Sequence, residues 1–203
     1  MVLALGLAVG VQAQVLDLQT GHGASVEDEP KASVEGGLVA GDADYIGARG
    51  NFKISEQLLV GINLGQTELF DDETALGGFA VYQVSTARYP VAIKAGYDTT
   101  LDSDYTLSEF SGLAIVSGAI NNQATWYANG GVHYVEFEID RHINHGPYHA
   151  SIKEEDDDLV PALGGGFVFA FTDNASAYAA VDLLMGDFYD DTVIGGGFRW
   201  SFR

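Results

Sequence analysis

The stretch Thr192-Val-Ile-Gly-Gly-Gly-Phe-Arg-Trp-Ser-Phe-Arg203 decides how the fold is read. At a period of two, Ile194, Gly196, Phe198, Trp200 and Phe202 share one face, and Val193, Gly195, Gly197, Arg199, Ser201 and Arg203 share the other. Consecutive glycines do not suit a helix, and a soluble core has no place for Arg199 on a buried edge. A strand with lipid against the aromatic face and a narrow polar lumen against the other accommodates both.

Working outward, the same alternation recurs. Ala32 to Ala40 sets Val34, Gly36 and Leu38 against Ser33, Glu35 and Gly37. Ile46, Ala48, Gly50, Phe52 and Ile54 alternate with Tyr45, Gly47, Arg49, Asn51 and Lys53. After a tight turn at Ser55-Glu56, Leu58, Val60, Ile62 and Leu64 face away from Gly61, Asn63, Gly65 and Thr67. Val91, Ile93, Ala95 and Tyr97 oppose Ala92, Lys94, Gly96 and Asp98. Apolar residues on one face and Arg, Asn and Lys on the other, repeated in neighbouring segments, are a strand signal.

The remaining segments are less regular. Gly77 to Thr86 has mixed faces, and Tyr105 to Gly118 is ambiguous in phase. A long strand carries Trp126, Ala128, Val132 and Tyr134, and then its apolar face changes to Val135, Phe137 and Ile139 opposite Glu136 and Glu138. That change predicts either a bulge or the exit of the strand from the membrane. Asp140 to Asp158 reads as the longest irregular segment, followed by strands with Leu163 to Phe171 and Ala177 to Met185 on their apolar faces. The whole predicts an all-β, antiparallel up-and-down transmembrane barrel over residues 31–203, of about ten strands with eight as the alternative.

This pattern, finishing on an amphipathic strand with Phe198, Trp200 and Phe202, resembles the small outer-membrane β-barrel proteins of Gram-negative bacteria, of the OmpA/OmpX-like porin-family type. The resemblance covers about residues 31 to 202 and is one of pattern. It implies location in the outer membrane, contact with its lipid and lipopolysaccharide, and a last strand that serves the barrel-assembly machinery as a signal. A monomer is expected.

Composition sets bounds. With 26 glycines and 4 prolines, the chain suits close-packed strands and tight turns. The absence of cysteine excludes disulfides and thiolate metal sites. A formal charge of −20 argues against nucleic acid as a partner. Val2 to Val11 with Val11-Gln12-Ala13 reads as the apolar core and cleavage site of a secretory signal peptide over residues 1–13, without the basic region that usually precedes it. Residues 14–30 read as a polar leader with no fold of its own. No later segment has the roughly 18 uninterrupted apolar residues of a membrane helix, so insertion would be by barrel.

The connections give an independent test. The turns near 55–57, 87–90, 119–122 and 172–175 are short and nearly uncharged. The alternate connections are acidic: Asp42 and Asp44, Asp71 to Glu73, Asp102 and Asp104, Asp140 with Glu154 to Asp158, and Asp187 with Asp190 and Asp191. Long loops on one rim and short turns on the other are the asymmetry of a membrane barrel.

The expected lumen charges are Glu35, Arg49, Lys53, Lys94, Asp98, Asp182 and Arg199. A bore of this size is nearly filled by side chains, so a packed polar plug is expected ahead of a narrow pore for small solutes. His142, His145 and His149 are candidate metal ligands if their segment turns helically, although solvated loop histidines are the commoner case. His149 with Ser151 and Glu154, and His133 with Glu136, supply acid–base residue types without a scaffold that places them. No catalytic residue, metal site or cofactor is therefore assigned. The expected function is an integral outer-membrane barrel with a structural or surface-interaction role and acidic outer loops. The alternatives are a secreted, lipocalin-like barrel with an apolar ligand inside, and a lipid A-modifying enzyme.

Overall fold

The alternation of the sequence becomes a ring. A computed structural model describes residues 23–41, 44–68, 72–101, 105–145, 148–186 and 190–202. Its strands are β1 (Ala32–Ala40), β2 (Tyr45–Lys53), β3 (Leu58–Glu68), β4 (Asp72–Ser85) and β5 (Val91–Thr100), then β6 (Tyr105–Ala119), β7 (Ala124–His145), β8 (Tyr148–Ala170), β9 (Ala175–Met185) and β10 (Asp190–Phe202). Each pairs antiparallel with its sequence neighbours, and β10 returns to β1, closing a barrel of ten strands. The closing ladder runs from Ala32 opposite Phe202 to Ala40 opposite Ile194.

Period two sends one set of side chains out and the other in. The outer face exposes Val34, Ile46, Ile62, Ile93, Leu163, Val181 and Phe198, the last of them 70% accessible. A water-facing surface of this kind would aggregate; a hydrocarbon-facing one is what lipid requires. Aromatic groups gather at two levels. Tyr89 and Trp126, Phe169 and Phe171, and Phe171 and Phe198 pack near the short-turn end. Tyr97, Phe110 and Tyr134 form a row across β5, β6 and β7 near the other. Two aromatic belts flanking an apolar band mark the two interfaces of a bilayer.

The register explains what happens at Val135. No bulge interrupts β7: its pairing with β8 runs unbroken from Ala124 opposite Phe169 to His145 opposite Tyr148. Val135 and Phe137 point into the barrel and are buried, while Glu136 and Glu138 lie on the outer wall opposite Asp157 and Glu155. The last apolar pair on that wall is Tyr134 with Leu159. The strand thus leaves the apolar band in unchanged phase, and the faces differ because Val135, Phe137 and Ile139 join a buried apolar cluster inside the barrel.

Three expectations are corrected. Within Asp140 to Asp158 the described residues are two paired extended strands, the ends of β7 and β8, rather than an irregular segment. β7 last pairs with β6 at Ile139, opposite Tyr105, and β8 first pairs with β9 at Ala162, opposite Leu184, so among the described residues the two strands pair only with each other between these points. Polar residues on both faces hid the alternation that apolar burial would have marked. β4 begins at Asp72 instead of Gly77, because Glu73 and Ala75 point inward and are buried like the rest of its inner face. Finally, residues 23–30, expected to have no fold, pack inside the barrel mouth, with Ala24 and Val26 buried. Residues 1–22 lie outside the described residues.

The outer band yields a direct test. Val181→Arg in the middle of the lipid-facing side of β9 should cost about 2–4 kcal/mol, as a cation near the bilayer centre does. Unfolding by urea in lipid vesicles measures this, and Glu138→Arg, above the aromatic row, should cost far less.

Candidate functional site

The lumen is where the sequence concentrates chemistry. Inner positions of β1 to β3 and β5 supply Ser33, Glu35, Arg49, Asn51, Asn63, Lys94 and Asp98, each buried. Arg49 Nε donates to Asn63 Oδ1 at 3.0 Å, and Asn63 Nδ2 donates to Asp98 Oδ1 at 2.9 Å. Asn51 Nδ2 donates to both Ser33 Oγ and Glu35 Oε1 at 3.1 Å. Glu35 also faces Arg49 Nη1 at 3.6 Å and Arg199 Nη1 at 3.9 Å. Two cations share one aromatic ring: the Arg49 guanidinium and the Lys94 ammonium lie 4.8 Å and 5.2 Å from the centre of Phe79. Fully desolvated charges are costly unless paired and hydrogen-bonded, so such a layer persists only as a connected network.

Glycine makes the layer fit. A Cβ on Gly77 would collide with the Asp98 carboxylate, and one on Gly164 with that of Asp182. Each glycine opposes its aspartate in the register, so the carboxylate lies flat over the neighbouring backbone.

All seven charges expected in the lumen point inward, but they fall into separate groups. Glu35, Arg49, Lys94 and Asp98 belong to the middle layer. Asp182 accepts a hydrogen bond from Asn129 Nδ2 at 3.2 Å on the β7–β9 side. Arg199 sits lower, pairing with Glu29 at 2.8 Å and donating to Ser176 Oγ at 3.3 Å. Lys53, at the short-turn rim, donates to the backbone carbonyls of Glu27 and Glu29.

Sequence reasoning named His133 but missed its partner. Glu109 and His133 form a close pair, Oε1 to Nδ1 at 2.5 Å. Glu136, the acid considered for His133, lies on the other side of the wall. The signal that could have found Glu109 was hidden by the ambiguous phase of β6, where Leu107, Leu113 and Ile115 point inward beside it. Ser111 stands opposite His133 in the register. The three together carry serine–histidine–acid residue types, but they face a packed interior. As for the metal candidates, His142 and His145 fall on β7 and His149 on β8, with His142 opposite Ser151 and His149 opposite Asn144. The helical turn that their convergence required is replaced by extended backbone.

Above the charged layer an apolar cluster lines the lumen, with Thr67, Glu73 and Thr100 buried at the same end. Val39, Tyr45, Leu107, Leu113, Phe137 and Val160 belong to one buried cluster towards the hairpin end. Below it, Leu59, Phe79, Val81, Ala92, Ile115 and Tyr127 form a second cluster towards the short turns, with Ala24 and Val26.

An apolar, aromatic-belted outer wall around a filled polar interior defines a membrane-spanning β-barrel protein. No family model and no curated protein matches the chain. Solved outer-membrane barrels do. The N-terminal β-barrel domain of Pseudomonas aeruginosa OprF is 14% identical, covering 86% of this chain and 98% of that one, with a TM-score of 0.44. The KdgM porin is 10% identical over 84% and 99%, with a TM-score of 0.45. Ail, the attachment invasion locus protein of Yersinia pestis, is 17% identical over 85% and 99%, with a TM-score of 0.37.

Removing one member of the middle layer tests its role. Arg49→Ala takes the nearer cation from the buried Glu35 carboxylate, leaving it Asn51 and the more distant Arg199, and should lower unfolding stability by about 3 kcal/mol. Pairing it with Glu35→Leu should recover much of that loss, read as the temperature at which the folded band disappears in SDS.

Proposed function

We propose that this protein is a closed-lumen barrel of the Gram-negative outer membrane, with its short turns in the periplasm and the β7–β8 hairpin at the cell surface. Its role is structural or one of surface interaction, and not the passage of solutes. The carrying observation is the middle layer, where Glu35, Arg49, Asn51 and Asn63 are each 1% accessible, so that the lumen is packed shut along β1 to β3. A diffusion pore needs a continuous wet lumen. Supporting it are the apolar outer band and the acidic hairpin rising beyond the last shared ladder. Hydrocarbon and lipopolysaccharide are the partners that the outer wall fits, and a single copy closes its own ladder. The same packing argues against catalysis at Glu109 and His133, since a substrate would have to displace buried side chains.

Recovery in the outer-membrane fraction, together with a band that shifts on boiling in SDS, is the expected result. Because the chain has no cysteine, Asp157→Cys gives a unique surface label. An impermeant maleimide should react with it on intact cells. Recovery as a soluble periplasmic protein, or labelling only after lysis, would contradict this reading.

A further inference from the structure

Residues 23–30 belong to no strand ladder, yet they cross the short-turn mouth of the barrel. In a ring of ten sequential strands, β6 stands opposite β1. The segment leaves β1 and reaches β6: Glu29 pairs with Arg199 on β10, and the Val26 and Glu27 amides donate to Gln83 Oε1 on β4 at 2.7 Å and 3.1 Å. The Ala24 amide donates to Ser117 Oγ on β6 at 2.8 Å. Lys53 on β2 holds the carbonyls of Glu27 and Glu29 from the near side. The segment is thus a bar across the full diameter of the mouth.

Its side chains divide by task. Ala24 and Val26 are buried against Leu59, Val81, Ala92 and Ile115, while Glu27 and Asp28 remain exposed. The mouth is wider than the bar. A cavity of about 260 Å³ lies on one side, lined by Ser25, Gln83 and Arg88 among others, and one of about 250 Å³ on the other, reaching Asn122 and Arg199. Apart from the Glu29 pair, the polar contacts are to the bar's main chain. Lifting it would break no rung between strands and would leave the ring closed.

Resting on the closed-lumen reading, we propose that residues 23–30 are a releasable strap that shuts an inner half-chamber of the barrel. The chamber's walls are the apolar cluster of Leu59, Val81, Ala92 and Ile115. Its floor is the buried charged layer around Arg49 and Glu35. Release of the strap opens the chamber to the periplasmic side but does not open a path through the membrane, because the floor stays in place. Gln83, Ser117, Lys53 and Arg199 are the strap's keepers; the first three are polar or charged lumen positions outside the middle network, and Arg199 links the strap's Glu29 to Glu35 of that network.

The test uses one reporter in two backgrounds. Ala92→Cys, behind the strap, is treated with a small water-soluble maleimide in the refolded full chain, with and without Val26→Asp. An aspartate at position 26 would be buried against apolar side chains and so expels the strap, leaving the barrel wall untouched. Labelling of Ala92→Cys should rise about tenfold or more, with the boil-dependent shift retained and no bilayer conductance gained. Equally slow labelling in both backgrounds, with protease trimming proving that the strap is out, overturns the strap alone. Equally fast labelling in both overturns it too. An unsubstituted chain that conducts overturns the closed-lumen reading and the strap with it. Should Val26→Asp fail to refold, Glu29→Gln takes the charge from the Arg199 pair and should raise labelling by about threefold.

Discussion

The structure depends on the ladder between β1 and β10. Inside a bilayer there is no water for an unpaired N–H or C=O, and each such group costs several kcal/mol. Left open, the nine residues of β1 and their partners on β10 would present two raw edges to lipid. Pairing Ala32 with Phe202 and continuing to Ala40 with Ile194 removes them. Closure then fixes the rest, because a ring has one inside and one outside, and every strand must commit its odd and even residues accordingly. The glycines of β10 serve that commitment: Gly195 and Gly197 turn inward, Gly197 beside the Tyr178 hydroxyl and the backbone of Gly36 and Gly37, while Phe198, Trp200 and Phe202 turn to lipid.

What fills the ring follows from its narrowness. Glu35, Arg49, Asn63 and Asp98 cannot be hydrated in a bore this size, so they pair with one another across β1, β2, β3 and β5. Apolar clusters cover this layer on both sides, which lowers the local dielectric and strengthens each interaction within it. The same dielectric makes a half-broken network worse than none. The strap adds to this closure from below and the hydrophobic outer-end cluster from above. A rigid, filled cylinder is a suitable foundation for the β7–β8 hairpin, which has only itself to pair with beyond the rim.

Most of the fold was legible because lipid imposes the simplest of patterns. In β2, β3, β5 and β10 the outer residues are apolar and the inner ones polar, and ten strands and their faces follow from counting by twos. Legibility failed where both faces had the same character. β6 carries Leu107, Leu113 and Ile115 inward and Phe110 outward, so phase could not be chosen and Glu109 was overlooked as the partner of His133. The hairpin is polar on both faces, so it read as a loop. Inward-facing charges were legible one by one, but which of them meet was not, since Arg49 finds Asn63 and Phe79 through register rather than proximity in sequence. The strap was illegible for a different reason. Its contacts go mainly to its backbone, and a backbone amide leaves no mark in the sequence for Gln83 or Ser117 to be matched with.

A sealed lumen is the claim on which the functional account turns, and ion current reads it most directly. Purified protein refolded into a planar lipid bilayer, with insertion confirmed by the boil-resistant band, should pass no unitary current above the bare membrane in molar potassium chloride. Discrete, reproducible conductance steps from the unsubstituted chain would mean that water and ions pass the Glu35–Arg49 layer, and the account of a closed barrel would be wrong.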